Sequence, residues 1–145
     1  MPSGSLETEF SSSPREVWDI ISDYDSAPAW VPSLVSVSPL TSGPLTVGSR
    51  FAQVMHVMGR EMELTITITE LDPPTRIAYS GEGKSVKITG RSTISETSNG
   101  CALSSDWSIE LSGMMRLSTP LAVAWTRDNL KQTMKALTDR LSQQG

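Results

Sequence analysis

The residues of this chain able to do chemistry are few, and their spacing rules out most catalytic plans. There is one histidine, His56, and one cysteine, Cys101, so a Ser-His or Cys-His couple has no second imidazole to draw on. The hairpin register derived below turns His56 outward opposite Glu63. That placement reads as a surface cross-strand partner rather than a general base, which needs a cleft. One histidine and one cysteine on different hairpins offer no ligand spacing for zinc. Glu16, Asp23 and Asp25 could in principle gather around a hard cation, but they read better as helix-cap and turn residues. Gly81-Glu82-Gly83-Lys84-Ser85 suggests a phosphate loop, lacks the full spacing, and leads into a strand rather than a helix. It is read as a strand connection. No metal or other cofactor is expected.

A second set of side chains is polar yet falls on faces that should be buried. Gln53, Tyr79, Ser92, Ser105 and Trp107 sit at inward positions of strands, and Arg127 lies in the apolar stripe of the last helix. A polar group facing an interior needs a partner. Either these groups bond one another, bound water or the backbone, or Gln53, Tyr79 and Arg127 present donors to a ligand's carbonyl, carboxylate or phenol. Arg127 has a further reading, a salt bridge at the pocket rim. Trp30, Met55, Met62, Leu64, Ile66, Trp107, Leu130 and Met134 would supply apolar walls, methionine adapting to irregular shapes. The same residues would serve an ordinary core, and for Trp18 the core reading is preferred.

The elements that must position these residues are marked by caps, turns and periodicity. Ser5–Phe10 alternates as a short strand. Ser13, Pro14 and Glu16 then spell the start of a helix: N-cap, first helical residue and capping box. Val17, Trp18, Ile20 and Ile21 give it one narrow apolar stripe. It stops in Asp23-Tyr24-Asp25-Ser26, and Pro28, Trp30 and Pro32 follow as a broken second helix. Val35–Ser38 alternates and ends at Pro39. Arg50–Met58 and Glu61–Leu71 flank Gly59-Arg60, read as a two-residue hairpin turn placing Val57 opposite Met62 and Gln53 opposite Ile66. Asp72-Pro73-Pro74-Thr75 turns the chain into Arg76–Gly81, with Glu70 and Arg76 paired outward and Ile77 and Tyr79 inward. Val86–Thr97 and Cys101–Leu111 form a hairpin around Asn99-Gly100, placing Gly90 opposite Ile109 and Ser92 opposite Trp107, with Arg91 and Asp106 as outward diagonal partners. Both hairpins separate apolar from polar faces.

Leu111-Ser112-Gly113-Met114-Met115 reads as a lid or as a simple connector. From Thr119, a candidate N-cap before Pro120, one long helix runs to Gln143. Val123, Arg127, Leu130, Met134, Leu137 and Leu141 recur at three and four. One helix stripe cannot fill the concavity of a curved antiparallel sheet, so a pocket of roughly 300–1,000 Å³ is expected between them.

Composition excludes other classes. A net charge of −4 with no basic run argues against nucleic acid, which needs a concentrated basic surface. The longest apolar run, Leu121–Trp125, is too short to span a bilayer. No apolar stretch precedes Arg15, so no signal peptide is expected. A lone cysteine suits a reducing cytoplasm. The 145 residues show no repeat or linker and read as one domain, 1–145.

The order of strand, two short helices, meander and long terminal helix resembles the helix-grip (START-like, SRPBCC) fold. More narrowly, it is similar to the bacterial polyketide cyclase/dehydrase and lipid-transport superfamily. SSSPREVWDIISDYDSAPAWVPSL, VGSRF, TELDPPTRIAYS and the helix opening TPLAVAW carry the likeness. They are caps, turns and core positions, not catalytic signatures. The resemblance implies an α+β fold: a curved antiparallel sheet of six to seven strands around the terminal helix, enclosing a cavity for a small hydrophobic ligand. The leading functional expectation is a carrier without catalytic residues of its own, acting as monomer or dimer. One alternative is a cyclase or dehydratase in which Tyr79 or Arg127 polarises a carbonyl and Gln53 orients it. The other is a regulatory or stress-response interaction module with a vestigial pocket.

Overall fold

The structure, a computed structural model, describes residues 2–144. Its elements run β1 (Ser3–Phe10), α1 (Pro14–Ile21), a 3-10 turn (Tyr24–Ala29), β2 (Leu34–Pro39), β3 (Arg50–Val57), β4 (Arg60–Asp72), β5 (Arg76–Gly83), β6 (Val86–Thr97), β7 (Gly100–Leu111), a second 3-10 turn (Gly113–Ser118) and α2 (Thr119–Gln144). The seven strands form one antiparallel sheet in the order β1-β7-β6-β5-β4-β3-β2, and α2 packs over β1 and β7. This is the α+β helix-grip architecture. Among the described residues no helix is long and apolar enough to cross a membrane.

The start of α1 is built by local chemistry. The Glu16 N–H donates to the Ser13 hydroxyl at 3.2 Å, and the Ser13 N–H donates to the Glu16 carboxylate at 3.0 Å. Two orphan donors are thereby satisfied. Val17, Trp18 and Ile20 then enter the core. Thr119 does not cap α2: it is already helical, with its hydroxyl donating to the Arg116 carbonyl at 2.7 Å. The preceding 3-10 turn takes over the start of the helix.

Both hairpins close one residue earlier than their sequences suggest. The first turn is Met58-Gly59, with φ of 49° and 80°, so Val57 pairs with Arg60 and Gln53 with Leu64. Two positive φ values are what the right-handed strand twist asks of a two-residue turn. The second turn is Ser98-Asn99, which pairs Gly90 with Trp107 and Ser92 with Ser105. Gly100 is spent elsewhere: a β-carbon there would collide with the Phe10 carbonyl of β1. The glycine admits the neighbouring strand instead of turning the chain. Each correction moves a partner by two residues, which leaves every side chain on its expected face.

Other strand details differ too. Gly81-Glu82-Gly83 does not break β5, which continues through Gly83; β-carbons at Gly81 and Gly83 would meet Ile88, Ile66 and Leu64 within 3 Å, so these glycines let the rows pack closely. Glu70 pairs with Arg76 at 3.2 Å as expected, but it also takes Arg91 at 3.1 Å. Arg91 therefore turns away from Asp106, although the two are direct cross-strand neighbours. A bulge at Thr69 sets Glu70 opposite Ala78, and Ala78 lies opposite Arg91. The small side chain between them lets the guanidinium reach across, and the ion pair covers Ala78, which is buried on the outer face.

Candidate ligand-binding site

A cavity of about 260 Å³ lies between the sheet and α2, just under the expected range. Its floor comes from β3 to β7, its roof from α2, and one end from the first 3-10 turn and β2. Ten of the thirteen residues anticipated for it border this space: Trp30, Gln53, Met55, Ile66, Tyr79, Ser92, Ser105, Trp107, Leu130 and Met134, while Met62 packs half-buried against the core instead. Leu64 does not border it. It is 4% exposed and packs in the core, its side chain lying over Gly83 of β5. Arg127 does not either; it is exposed on α2. The cavity face of the helix is turned to Thr126, Asn129, Leu130, Thr133 and Met134.

That rotation has a physical reason. Thr126 and Thr133 donate to the carbonyls of Ala122 and Asn129, each at 2.8 Å. With their hydroxyls folded back on the helix, they no longer demand a partner from the cavity. Hydropathy marks such threonines as solvent-facing, so a periodicity argument passes them over. The contributions of Tyr24, Val31 and Ser33 were also missed, since they come from chain in and after the first 3-10 turn, and so was that of Val37, which β2 places opposite Gln53. Leu111–Met115 does not border the cavity; it leads into the second 3-10 turn, where Met114 is 91% exposed.

One row of residues shapes the floor. Tyr79, Gly90, Trp107 and Gly4 are successive cross-strand partners on β5, β6, β7 and β1. A β-carbon on Gly90 would lie 2.5 Å from the Tyr79 ring, and one on Gly4 would lie 2.6 Å from the Trp107 indole. Each aromatic ring thus lies flat over a glycine on the next strand. The rings pave the sheet instead of standing upright and filling the cavity.

The polar side chains on the floor do not satisfy one another. The chain's side-chain hydrogen bonds lie in the α1 cap, the loops, the outer sheet face and along α2. Among the described residues none joins Gln53, Tyr79, Ser92 or Ser105. Tyr79 keeps some accessible surface because it faces the cavity, yet protein surrounds it, and lost hydration pushes its phenol well up. Tyr24 is raised as well, by burial first and by the neighbouring Tyr79 second; its ring lies tilted against Phe51 with centroids 4.9 Å apart. Both phenols therefore stay protonated, each with a proton to donate. Trp30 Nε1 and Ser33 Oγ are buried with no partner among the described residues.

Outside the cavity, little is poised for chemistry. Cys101 is fully buried, and burial raises its thiol, so it is not an activated nucleophile. His56 is exposed and lies opposite Glu61 rather than Glu63, a consequence of the earlier turn. Glu16 has its carboxylate lowered by its bonds to Ser13, which fits its structural use.

Comparison with known proteins places this geometry. An uncharacterized protein of Mycobacterium tuberculosis is 29% identical over 104 residues, covering 71% of this chain and 73% of that protein. A START superfamily protein from Mycobacterium smegmatis superposes with a TM-score of 0.86 at 18% identity, over 99% of both chains. The Zhui aromatase/cyclase from Streptomyces sp. R1128 superposes at 0.80 with 16% identity, over 97% of this chain and 93% of its own. At such identities the structural likeness speaks for fold alone. The family described as polyketide cyclase / dehydrase and lipid transport matches residues 1–142, nearly the whole length, and it is to this family that the chain belongs.

Proposed function

We propose that the protein binds and carries a small, largely apolar molecule in the cavity between sheet and α2. The observation that carries this reading is the floor itself. Two rings lie flat over glycines and keep about 260 Å³ open, walled by Ile66, Met55, Leu130 and Met134, with Gln53, Ser92, Ser105 and Tyr79 left to meet a ligand. Leaving polar groups unspent in a buried space is costly, and a ligand that bonds to them offsets that cost. A cytoplasmic setting belongs to the same proposal and rests on the single reduced cysteine.

The family also contains the cyclase reading, and one observation favours it. Tyr79 is a protonated phenol in the cavity and could polarise a carbonyl oriented by Gln53. The role considered for Arg127 is withdrawn, since its side chain is exposed. The carrier reading leads because the charged residues at the cavity wall, Arg91 and Asp106, form no ion pair or hydrogen bond with each other, and Arg91 is engaged by Glu70 instead. The test is titration with a neutral apolar dye such as Nile red, together with mass spectrometry of molecules that copurify. Ser92→Trp fills the cavity and is expected to abolish dye binding while circular dichroism stays native. A well-folded protein that binds neither dye nor any copurifying molecule overturns the carrier reading and leaves the interaction module.

A further inference from the structure

We propose that the ligand is amphipathic, and that its head bears hydroxyls and no negative charge and sits in a groove between α2 and the Pro32-Ser33 loop. This rests on the carrier reading, with the apolar body of the ligand in the cavity. The groove, about 320 Å³, is bordered by Ser33, His56, Trp125, Asp128, Asn129 and Gln132. Ser33 and Asn129 border the cavity as well, so the two spaces share a wall.

Sequence spacing explains how α2 serves both. Trp125, Asp128, Asn129 and Gln132 stand at i, i+3, i+4 and i+7, one face of a helix. The cavity face, with Thr126, Leu130 and Thr133, lies beside it. Across the groove, the backbone N–H of His56 donates to the backbone carbonyl of Ser33 at 2.7 Å, which ties the loop to β3 and holds both residues at the same wall.

The independent sign of a ligand is Ser33. It is 8% exposed, and its hydroxyl has no partner among the described residues. The hydroxyl is sealed in the unbound chain at a residue that borders both groove and cavity, and rotation about χ1 would present it to a bound head. The other groups say what kind of head. Ser33, His56, Asn129 and Gln132 can each donate and accept, as a ligand hydroxyl does. Asp128 accepts from such a hydroxyl and repels an anionic head, and no lysine or arginine borders the groove to offset that repulsion. Trp125 supplies an apolar wall. A purely apolar ligand leaves the Ser33 hydroxyl unpaired, and a site built to bond a hydroxyl rejects the analogue lacking it.

Three amphiphiles with one tail separate the possibilities: octyl glucoside, octyl sulfate and octyltrimethylammonium, each titrated calorimetrically below its micellar range. The glucoside is expected to bind at least about tenfold more tightly than either charged analogue. Ser33→Ala and Gln132→Ala are each expected to weaken it by about tenfold. Gln132 does not border the cavity, so Q132A should leave Nile red binding unchanged. S33A should not lower the melting temperature of the unbound protein, because it removes an unpaired buried hydroxyl. The proposal falls where Nile red binds but the three amphiphiles bind alike, where a charged head binds best, or where Q132A weakens dye and glucoside equally. Absence of Nile red binding removes the carrier reading, and this inference with it.

Discussion

The row Tyr79-Gly90-Trp107-Gly4 makes a prediction that links stability to the cavity. Gly90 has no positive φ, so an alanine there meets no backbone penalty; its β-carbon meets the Tyr79 ring at 2.5 Å. Carbon atoms rest about 3.5 Å apart or more, so the ring must rise by about 1 Å, and the cavity is the space above it. Such overpacking costs about 1–3 kcal/mol. Replacing a strand glycine by alanine returns about 0.5–1 kcal/mol. Gly90→Ala should therefore destabilise by about 1 kcal/mol, a fall in melting temperature of about 3 °C. A ring raised by 1 Å removes a volume near one water's share, about 30 Å³, from the 260 Å³ available. Losing contact worth about one methylene, ~0.8 kcal/mol, weakens an apolar dye about fourfold. The decisive measurement is a double-mutant cycle by urea unfolding. In a Tyr79→Val background the ring is gone, so Gly90→Ala should become stabilising by about 0.5–1 kcal/mol. If the substitution destabilises equally in both backgrounds, the ring-over-glycine account is wrong.

Two further outcomes follow from the same geometry. Ser13→Ala should cost about 1 kcal/mol in urea unfolding by removing the α1 cap. Its partner Glu16 has a folded-state carboxyl below its ordinary value, so its stabilisation is present above the ordinary glutamate range and is lost as pH falls through the lowered one. Glu16→Gln should accordingly flatten the acid limb of the stability profile below the ordinary glutamate range; an unchanged limb refutes the linkage. Deleting residues 117–145 should yield an unfolded or aggregated chain. Met134, Leu137 and Leu141 are buried and contribute about 1.5–3 kcal/mol each, comparable to a typical total stability of about 5–15 kcal/mol. A soluble truncation with cooperative unfolding would show α2 to be an appendage.

Local chemistry settled much of this protein before any contact was formed. The Ser13–Glu16 box, the alternation of β3 to β7 and the three-four spacing of Leu130, Met134, Leu137 and Leu141 need only neighbours in sequence, and they fix element type and inward face. Those faces survived the misplaced hairpin turns because a two-residue change of partner preserves parity. What the tertiary structure decided concerns groups distant in the chain. Gly100 looked like a turn residue until β1 came against it. Arg127 looked internal and Thr126, Asn129 and Thr133 external, because hydropathy describes a core while this helix face borders a cavity. Leu64 and Ile66 share one strand face; only tertiary packing decides that Ile66 meets the cavity and Leu64 does not. The paving of Tyr79 and Trp107 over Gly90 and Gly4, and the meeting of Ser33 with Asn129, join residues from separate strands, loop and helix. Short-range pattern carries no term for such pairings, because their energy exists only once the sheet has closed beneath α2.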